Sequence, residues 1–358
     1  MSGFTATCRP FGRLPDGREV AAVTLAGDGG TSATLIAWGA SVQAMLLPDR
    51  AGRLADVALG HATIDEYLAR RRYFGSTCGR YANRIADGRF TLDGRSYAVP
   101  PNDGGNALHG GPSGFDQALW AVTDVRSGDA ASVTMRHVSP DGDQGFPGAL
   151  TVEVIYRLDR DGLTIDHRAA TDRATVVGLT NHAYWNLAGE GSAEDLTDHL
   201  LTVPAAQFLP TDAAAIPTGE RRAVAGTPFD FLAPRRIGDR VDDAADGQIA
   251  FGQGYDHCFV LGDGITAELR PMARLVDPAS GRGFDLLSNQ PGLQVYSGNF
   301  LDGTSCGKAG RPYRRRAGIA LEPQLFPDTP NRPAFGSARL APGEAYRNLI
   351  AYRFFVAG

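Results

Sequence analysis

Short runs in which apolar and polar residues alternate, separated by glycine-rich or polar breaks, recur along the chain. The clearest β-prone runs near its start and end are residues 19–25, 33–38, 42–47 and 346–356. Asp93-Gly94 joins two further alternating runs, and the turns at 159–162 and 277–281 do the same. A turn sequence between two alternating runs is typical of a β-hairpin. The pattern therefore predicts antiparallel strands along most of the chain.

Helical patterns are scarce. Thr63 and Glu66 form a capping-box pattern before residues 67–72, which predicts one short helix there. Repeated alternation of strands and helices is absent, which argues against a parallel α/β sheet. No repeat of 20–50 residues and no low-complexity linker divides the chain. We therefore predict an all-β fold, a large antiparallel β-sandwich with few short helices, and a single domain spanning residues 1–358.

Composition narrows the classes of function. A chain of 358 residues that is 43% hydrophobic and 21% charged can bury a sizeable core. Its formal net charge of −5 argues against a nucleic-acid partner, which would require a basic surface. No apolar run approaches the roughly 20 residues of a membrane-spanning helix, and the first residues lack a signal-peptide pattern. Four dispersed cysteines suggest free thiols in a reducing compartment, so we expect a cytoplasmic protein without a membrane partner.

Residues 177–189 concentrate polar and aromatic side chains at the end of an apolar β-prone run. His182 and Asn186 stand where a core strand would carry aliphatic residues, and Tyr184 and Trp185 lie between them. A strand end that opens into a polar cleft fits this composition, with His182 as an acid, a base or a ligand and the aromatic residues as walls. A structural histidine satisfied within the core is the alternative, and this stretch alone favours neither.

Three more stretches combine glycines with polar residues. In residues 79–85, Arg80 and Arg84 are either solvated on one helical face or directed into a site as hydrogen-bonding forks. His109 stands among glycines that would let a ligand approach the backbone, or it is exposed on a turn. Asp256 lies at the mouth of an apolar run, where it either caps a turn or faces a cleft.

Glu322 ends the apolar run 317–321 and precedes Pro323, so we expect the strand to stop there with its carboxylate at the edge. Partial desolvation by Leu321 and Phe326 would raise the pKa of this carboxyl, as a general base requires. A structural glutamate paired with the arginines at 314–316 is the alternative.

Other chemistries lack their sequence patterns. No histidine or cysteine pair has zinc spacing, and no phosphate-binding or dinucleotide-binding glycine loop is present. Residues 303–307 match the Gly-x-Ser-x-Gly pattern of hydrolases, but the strand and helix that should flank Ser305 are missing. We therefore expect no serine nucleophile, no metal and no cofactor.

Six segments in order resemble the motifs of the aldose 1-epimerase family, the galactose mutarotases. Each motif is weak alone, but their common order across nearly the whole chain is specific. The segments are residues 79–85, 106–111, 179–189, 254–259, 291–299 and 321–331.

The resemblance implies a sandwich of the galactose mutarotase-like type with a sugar cleft across one face, and a mutarotase that interconverts the α and β anomers of free aldohexoses such as glucose and galactose. It implies Glu322 as general base on the anomeric hydroxyl and His182 as general acid to the ring oxygen. The resemblance also implies six substrate-binding residues. His109 would be a second imidazole at the sugar, and Tyr184 would line the wall of the cleft. The sugar hydroxyls would be held by Asn83, Arg84, Asp256 and Gln294.

Two positions depart from the family pattern. Ala107 stands where some members carry another histidine, and Pro323 stands where threonine is usual, next to the expected base. Two other functions stay open at the level of sequence. One is a non-catalytic sugar-binding module on the same fold, and the other is a hexose-phosphate epimerase that uses Arg311 and residues 314–316 for the phosphate.

Overall fold

Three antiparallel sheets form the body of the computed structural model, which describes residues 3–358. The first sheet has five strands in chain order: Thr5–Arg13, Glu19–Ala26, Ser32–Ile36, Ser41–Pro48 and Leu54–Asp56. The second has nine, in the order Ala121–Arg126, Ala131–Ser139, Leu150–Asp159, Gly162–Thr171, Tyr346–Val356, Arg282–Ser288, Arg270–Val276, Leu200–Thr202 and Arg235–Arg236. The third has six, in the order Tyr184–Trp185, Ile319–Gln324, Gly292–Tyr296, Asp256–Val260, Gln207–Leu209 and Arg222–Ala223.

Four small two-stranded pairs surround these sheets. They are Arg84–Ile85 with Ala107–Leu108, Thr77–Cys78 with Thr180–Asn181, Arg89–Leu92 with Arg95–Ala98, and Thr175–Val176 with Arg339–Leu340. The described residues also contain short 3₁₀ helices: Asp28–Gly30, Ala86–Gly88, Phe115–Gln117, Asp143–Gly145, Ile237–Asp239, Thr329–Asn331 and Pro333–Phe335.

Two α-helices of six residues each occur in the described chain. Ile64–Ala69 carries the predicted capping box, with Glu66 and Thr63 bonded reciprocally, but it ends at Ala69, short of the predicted 72. Gly247–Gly252 was not predicted; its cap is Asp246, whose carboxylate accepts from the N–H groups of Gln248 and Ile249. No helix among residues 3–358 is long and apolar enough to span a membrane.

One hydrophobic cluster joins the inward faces of all three sheets. Val23 and Leu35 of the five-stranded sheet, Val154 of the nine-stranded sheet, and Val295 and Leu321 of the six-stranded sheet belong to it and are fully buried. Burial of this shared apolar surface is the main stabilising contribution to the sandwich. The predicted antiparallel β-sandwich with few short helices is confirmed, including its three hairpins.

The strand around Glu322 differs from the prediction, because it runs on through Pro323 to Gln324 instead of stopping at the proline. The carbonyl oxygen of Pro323 accepts from the Thr180 hydroxyl at 2.9 Å and from Asn348 Nδ2 at 2.8 Å. In a strand, the N–H and C=O of one residue point to the same side. The missing N–H of Pro323 therefore faces away from the Gly292–Tyr296 ladder, which stays intact.

Candidate active site

The register of the six-stranded sheet brings four predicted site residues onto one face. Glu322 lies directly opposite Gln294 on the neighbouring strand. Asp256 lies opposite Tyr296, and Tyr184 opposite Ala320, in the adjacent row. Side chains alternate between the two faces of a strand. Leu321 and Val295 therefore point into the core, whereas both rows of site residues point into a cleft on the opposite face.

Glu322 is 2% exposed, and its Oε2 has no hydrogen-bond partner among the described residues. Burial raises the pKa of this carboxyl well above its ordinary value, and the negative charge of Asp256 raises it further. Arg84 opposes both effects. A carboxyl with a raised pKa and a free oxygen is suited to accepting a proton from a ligand.

His182 follows the short strand Thr180–Asn181, and its backbone is fixed on both sides. Its N–H donates to the carbonyl of Ser76 at 2.8 Å, and its carbonyl accepts from the N–H of Gly75 at 3.0 Å. The imidazole stacks on Tyr184 at 4.8 Å between ring centroids, and burial lowers its pKa to about 4. Its Nε2 lies 3.6 Å from Oε1 of Glu322.

His109 has its tautomer set by the backbone. The N–H of Asn83 donates to Nδ1 of His109 at 3.1 Å, and the N–H of His109 donates to the carbonyl of Asn83 at 3.1 Å. Nδ1 is therefore an acceptor, and the proton of the neutral ring must reside on Nε2. Gly110 supports this loop at φ +88, where a Cβ atom would lie 2.0 Å from the carbonyl oxygen of Gly79.

The residues expected to hold hydroxyl groups form a connected polar set. Gln294 Nε2 donates to Asp256 Oδ1 at 2.7 Å, and Arg84 Nε donates to Asp103 Oδ2 at 2.7 Å. The Oδ1 atom of Asn83 accepts from the N–H of Arg84 at 2.8 Å. Oε1 of Gln294 is buried and has no hydrogen-bond partner in the part of the chain that the structure describes. These groups present donors and acceptors to the cleft, as recognition of a polyhydroxylated ligand requires.

All eight predicted site residues line one cleft with a cavity volume of about 150 Å³. The other lining residues are Arg71, Arg72, Tyr73, Leu108, Tyr296, Phe300 and Leu301. Arg71, Arg72 and Tyr73 were not predicted as site residues, because the two arginines fit the end of the predicted helix. The sequence signal that could have indicated them is a tyrosine directly after an arginine run and before Phe74-Gly75.

Each cleft arginine already faces carboxylates. Arg71 Nε and Nη2 bond to Asp116 at 2.7 Å each, and Arg72 Nη2 bonds to Asp302 at 2.9 Å. Burial lowers the pKa of Arg84, but the charges of Asp256 and Asp103 outweigh this effect and raise the pKa overall. The cleft therefore offers no excess positive charge to an anionic ligand.

Three other residues considered in the sequence lie outside the site. Arg80 is buried elsewhere, where its guanidinium bonds to the carbonyls of Pro147 and Gly148, so it is neither solvated nor part of the cleft. Ser305 is buried, and its hydroxyl accepts a long 3.4 Å bond from Arg72 Nε. Arg316 is buried in an ion pair with Asp242, away from Glu322.

Ligand atoms of His109, His182 and Glu322 lie within 4.8 Å of one another, which is close enough to hold a metal ion. The chain positions of these residues did not predict this grouping. The bond from the N–H of Asn83 to His109 Nδ1 keeps a proton on Nε2, whereas a metal-bound Nε2 must be unprotonated. The arrangement therefore suits hydrogen bonding and proton transfer better than metal coordination.

Comparisons with known proteins agree with this chemistry. The family model described as aldose 1-epimerase matches residues 21–353. Galactose mutarotase of Mus musculus is 42% identical over 347 residues, covering 97% of this chain and 98% of that protein. Aldose 1-epimerase of Escherichia coli K12 is 39% identical and covers 95% of this chain and 96% of that protein.

Solved structures show the same likeness. The crystal structure of galactose 1-epimerase from Lactobacillus acidophilus superposes with a TM-score of 0.86 at 28% identity, covering 99% of this chain and 100% of that chain. An aldose epimerase homologue from C. elegans superposes with a TM-score of 0.84 at 31% identity, and both chains are covered completely.

Proposed function

The chain belongs to the aldose 1-epimerase family and is an isomerase that interconverts the anomers of an aldose, and we propose that Glu322 and His182 perform this reaction as general base and general acid. The observation that supports these roles most directly is the 3.6 Å approach of His182 Nε2 to Glu322 Oε1 inside the cleft. A non-catalytic sugar-binding module would have no use for this pair.

The proposed reaction moves two protons in opposite directions. Glu322 accepts the proton of the anomeric hydroxyl while protonated His182 donates to the ring oxygen, and the bond between that oxygen and the anomeric carbon breaks. The anomeric carbon becomes an aldehyde, which rotates about its bond to the next carbon. In closure, the freed hydroxyl attacks the opposite face of the aldehyde. His182 then takes its proton back, and Glu322 returns a proton to the anomeric oxygen.

The pair of residues holds one proton both before and after ring opening. Before opening, the proton lies on His182; after opening, it lies on Glu322. Burial raises the pKa of Glu322 and lowers the pKa of His182, so the protein favours the arrangement that accompanies the open-chain sugar. Selective stabilisation of the open form lowers the barrier to its formation, which is how binding energy accelerates a chemical step.

His109 would act as a neutral donor in this scheme. Its Nε2–H, fixed by the Asn83 backbone, can donate to a sugar oxygen but cannot accept a proton there. Asn83, Arg84, Asp256 and Gln294 would hold the remaining hydroxyls, so that the open chain does not leave the cleft before it closes. Tyr184 would form the wall beside His182.

We propose an uncharged aldohexose as the substrate, with galactose and glucose as first candidates. The cleft arginines are paired with carboxylates, which disfavours a sugar phosphate. The arginines at 311, 314 and 315 line a separate groove with Glu190 and Asp195 rather than this cleft. We also propose a single domain over residues 1–358 and a cytoplasmic location. The protein would function without a nucleic-acid or membrane partner, a metal or a cofactor.

Polarimetry tests the proposal directly. Freshly dissolved α-D-galactose and α-D-glucose should reach the equilibrium rotation much faster with the protein than without it. A variant carrying both Glu322→Gln and His182→Asn, shown to be folded by circular dichroism, is the control and should leave only the spontaneous rate. Full activity of that variant would refute the assignment of the two residues.

A further inference from the structure

Tyr73 stands on a segment that is joined to the backbone of His182. Its φ is +58, a left-handed conformation that is uncommon for a residue with a bulky side chain. The carbonyl of Tyr73 accepts from both the N–H and the hydroxyl of Ser76 at 3.1 Å. Ser76 and Gly75 in turn bond to the backbone of His182. The position of the Tyr73 ring is thus tied to the same backbone that carries the imidazole.

The Tyr73 ring covers one face of His182. The two rings stack at 5.7 Å between centroids with planes 18° apart, and Tyr184 stacks on the His182 ring at 4.8 Å with planes 28° apart. Tyr73 also touches His109, at 4.7 Å between ring centroids. The imidazole of His182 is therefore held by flat aromatic rings, with its edge left toward Glu322.

Arg71 also contacts the Tyr73 ring. Its guanidinium lies 4.7 Å from the centre of the Tyr73 ring, a cation–π distance. Arg71 is itself held by Asp116 through two 2.7 Å bonds and by the carbonyls of Gly111 and Pro112 in the His109 loop. The segment therefore links the loops that carry the two imidazoles.

We propose that Tyr73 is a positioning residue, which holds the His182 ring in the plane needed for proton donation to the sugar ring oxygen. This inference rests on the proposed acid role of His182. Proton transfer depends steeply on alignment, and a displacement of about 1 Å can reduce a rate by about 10²-fold. Stacking requires the ring of Tyr73 but not its hydroxyl, so phenylalanine should replace it.

The test compares Tyr73→Leu with Tyr73→Phe by steady-state kinetics and by NMR titration of ¹⁵N-labelled histidine rings. Tyr97→Leu is the matched control, because Tyr97 is also half-buried and stacked, on Phe90, but outside the cleft. In the leucine variant, kcat should fall by about tenfold to hundredfold. The pKa of His182 should rise from about 4 toward its ordinary value, because water gains access to the ring.

Several titratable groups face His182 and could affect its pKa. These groups are Glu322, His109, Tyr73, Tyr184 and Tyr296, and the tyrosines stay neutral because burial raises the pKa of each. Glu322→Gln in the Tyr73→Leu background removes the carboxylate and should leave the upward shift of the His182 pKa in place. The assignment of the His182 signal comes from its loss in His182→Asn.

Three results would overturn the inference. They are an unchanged His182 titration in Tyr73→Leu, a loss confined to KM, or an equal loss in Tyr73→Phe, which would make the hydroxyl a substrate contact. Tyr73→Met serves the same test should the leucine variant not fold. The NMR titration does not depend on catalysis, so failure of the acid role would show separately, as an active His182→Asn enzyme.

Discussion

His182 Nε2 lies 3.6 Å from Glu322 Oε1, beyond the length of a good hydrogen bond, although both side chains are at least 95% buried. The two side chains therefore do not satisfy each other's hydrogen-bonding capacity. His182 Nδ1 and Glu322 Oε2 also have no partner among residues 3–358. Keeping an acid and a base close but unbonded costs stability, because buried polar groups without partners are unfavourable. The arrangement is useful when a ligand bonds to both groups.

Replacing Glu322 by glutamine tests the base. Glutamine keeps the shape of the side chain but cannot accept the proton, so turnover should fall by about 10²-fold or more while the fold persists. Polarimetry of α-D-galactose measures the effect. Glu190→Gln is the matched control: Glu190 is also buried with a raised pKa, but it bonds to the N–H of Ala309 outside the cleft. Near-full activity of the Glu322 variant would show that another residue is the base.

The two imidazoles should differ in which kinetic constant they control. His182→Asn removes the proposed proton donor, an interaction made in the transition state, so the loss should appear chiefly in kcat. His109→Asn removes a neutral donor that also contacts the bound sugar, so it should leave more activity and raise KM as well. A coupled steady-state assay separates the two. Normal kcat with weak binding in the His182 variant would exchange the roles.

Much of the fold was predictable from local pattern. The Asp93-Gly94 turn and the alternation around it specify a hairpin without reference to the rest of the chain, and the structure forms it with Leu92 opposite Arg95. The capping box at Thr63 specified a helix start for the same reason. The end of that helix at Ala69 was not predictable, because Arg71 leaves the helical path to bond Asp116, which is distant in sequence.

The site was predictable in its residues but not in its geometry. Motif order supplied His182, Glu322 and their neighbours, whereas the strand register that places Glu322 opposite Gln294 depends on pairing across the whole sheet. The carboxamide of Asn181, the residue before His182, bonds to the carbonyl of Gly75 and the N–H of Ala183 and so does not orient the imidazole. Stacking by Tyr73 and Tyr184 orients the ring, and such contacts between distant segments have no local pattern.

Ser305→Ala tests the rejected hydrolase pattern. No serine nucleophile is expected at Ser305, which is buried in a loop that carries Phe300 and Leu301 to the cleft wall. Its hydroxyl accepts one long bond from Arg72, which two bonds to Asp302 hold independently. Mutarotation should therefore stay within about twofold, because the lost bond is long and weak and the Arg72–Asp302 pair stays in place. Labelling of Ser305 by a serine-reactive phosphonate would contradict this expectation.

Buried histidines should make the fold sensitive to mild acid. Burial lowers the pKa of His167 and His199 to about 4 and that of His257 to about 3. Above pH 6.5 these rings are neutral in both states and contribute nothing to the pH dependence. Between about pH 6.5 and 4, the unfolded chain binds protons that the folded protein does not. The free energy of unfolding should then fall by about 1.4 kcal/mol per pH unit for each ring.

Carboxyl groups also change the free energy of unfolding with pH, and some of them act in the opposite direction. Comparing the pH dependence of this free energy between the protein and a variant that lacks one histidine isolates the contribution of that ring. His257→Gln removes one titrating group; glutamine can still donate to Gln248 Oε1, which lies 3.1 Å from Nε2 of the imidazole. The variant will be less stable throughout, so the measured quantity is the change in unfolding free energy between pH 6 and pH 5, obtained from urea titrations. That change should be smaller in the variant by about 1.4 kcal/mol, the equivalent of one proton. Equal slopes in the two proteins would mean that His257 is already protonated in the folded state near pH 6, contrary to its burial beside Phe229 and Phe208.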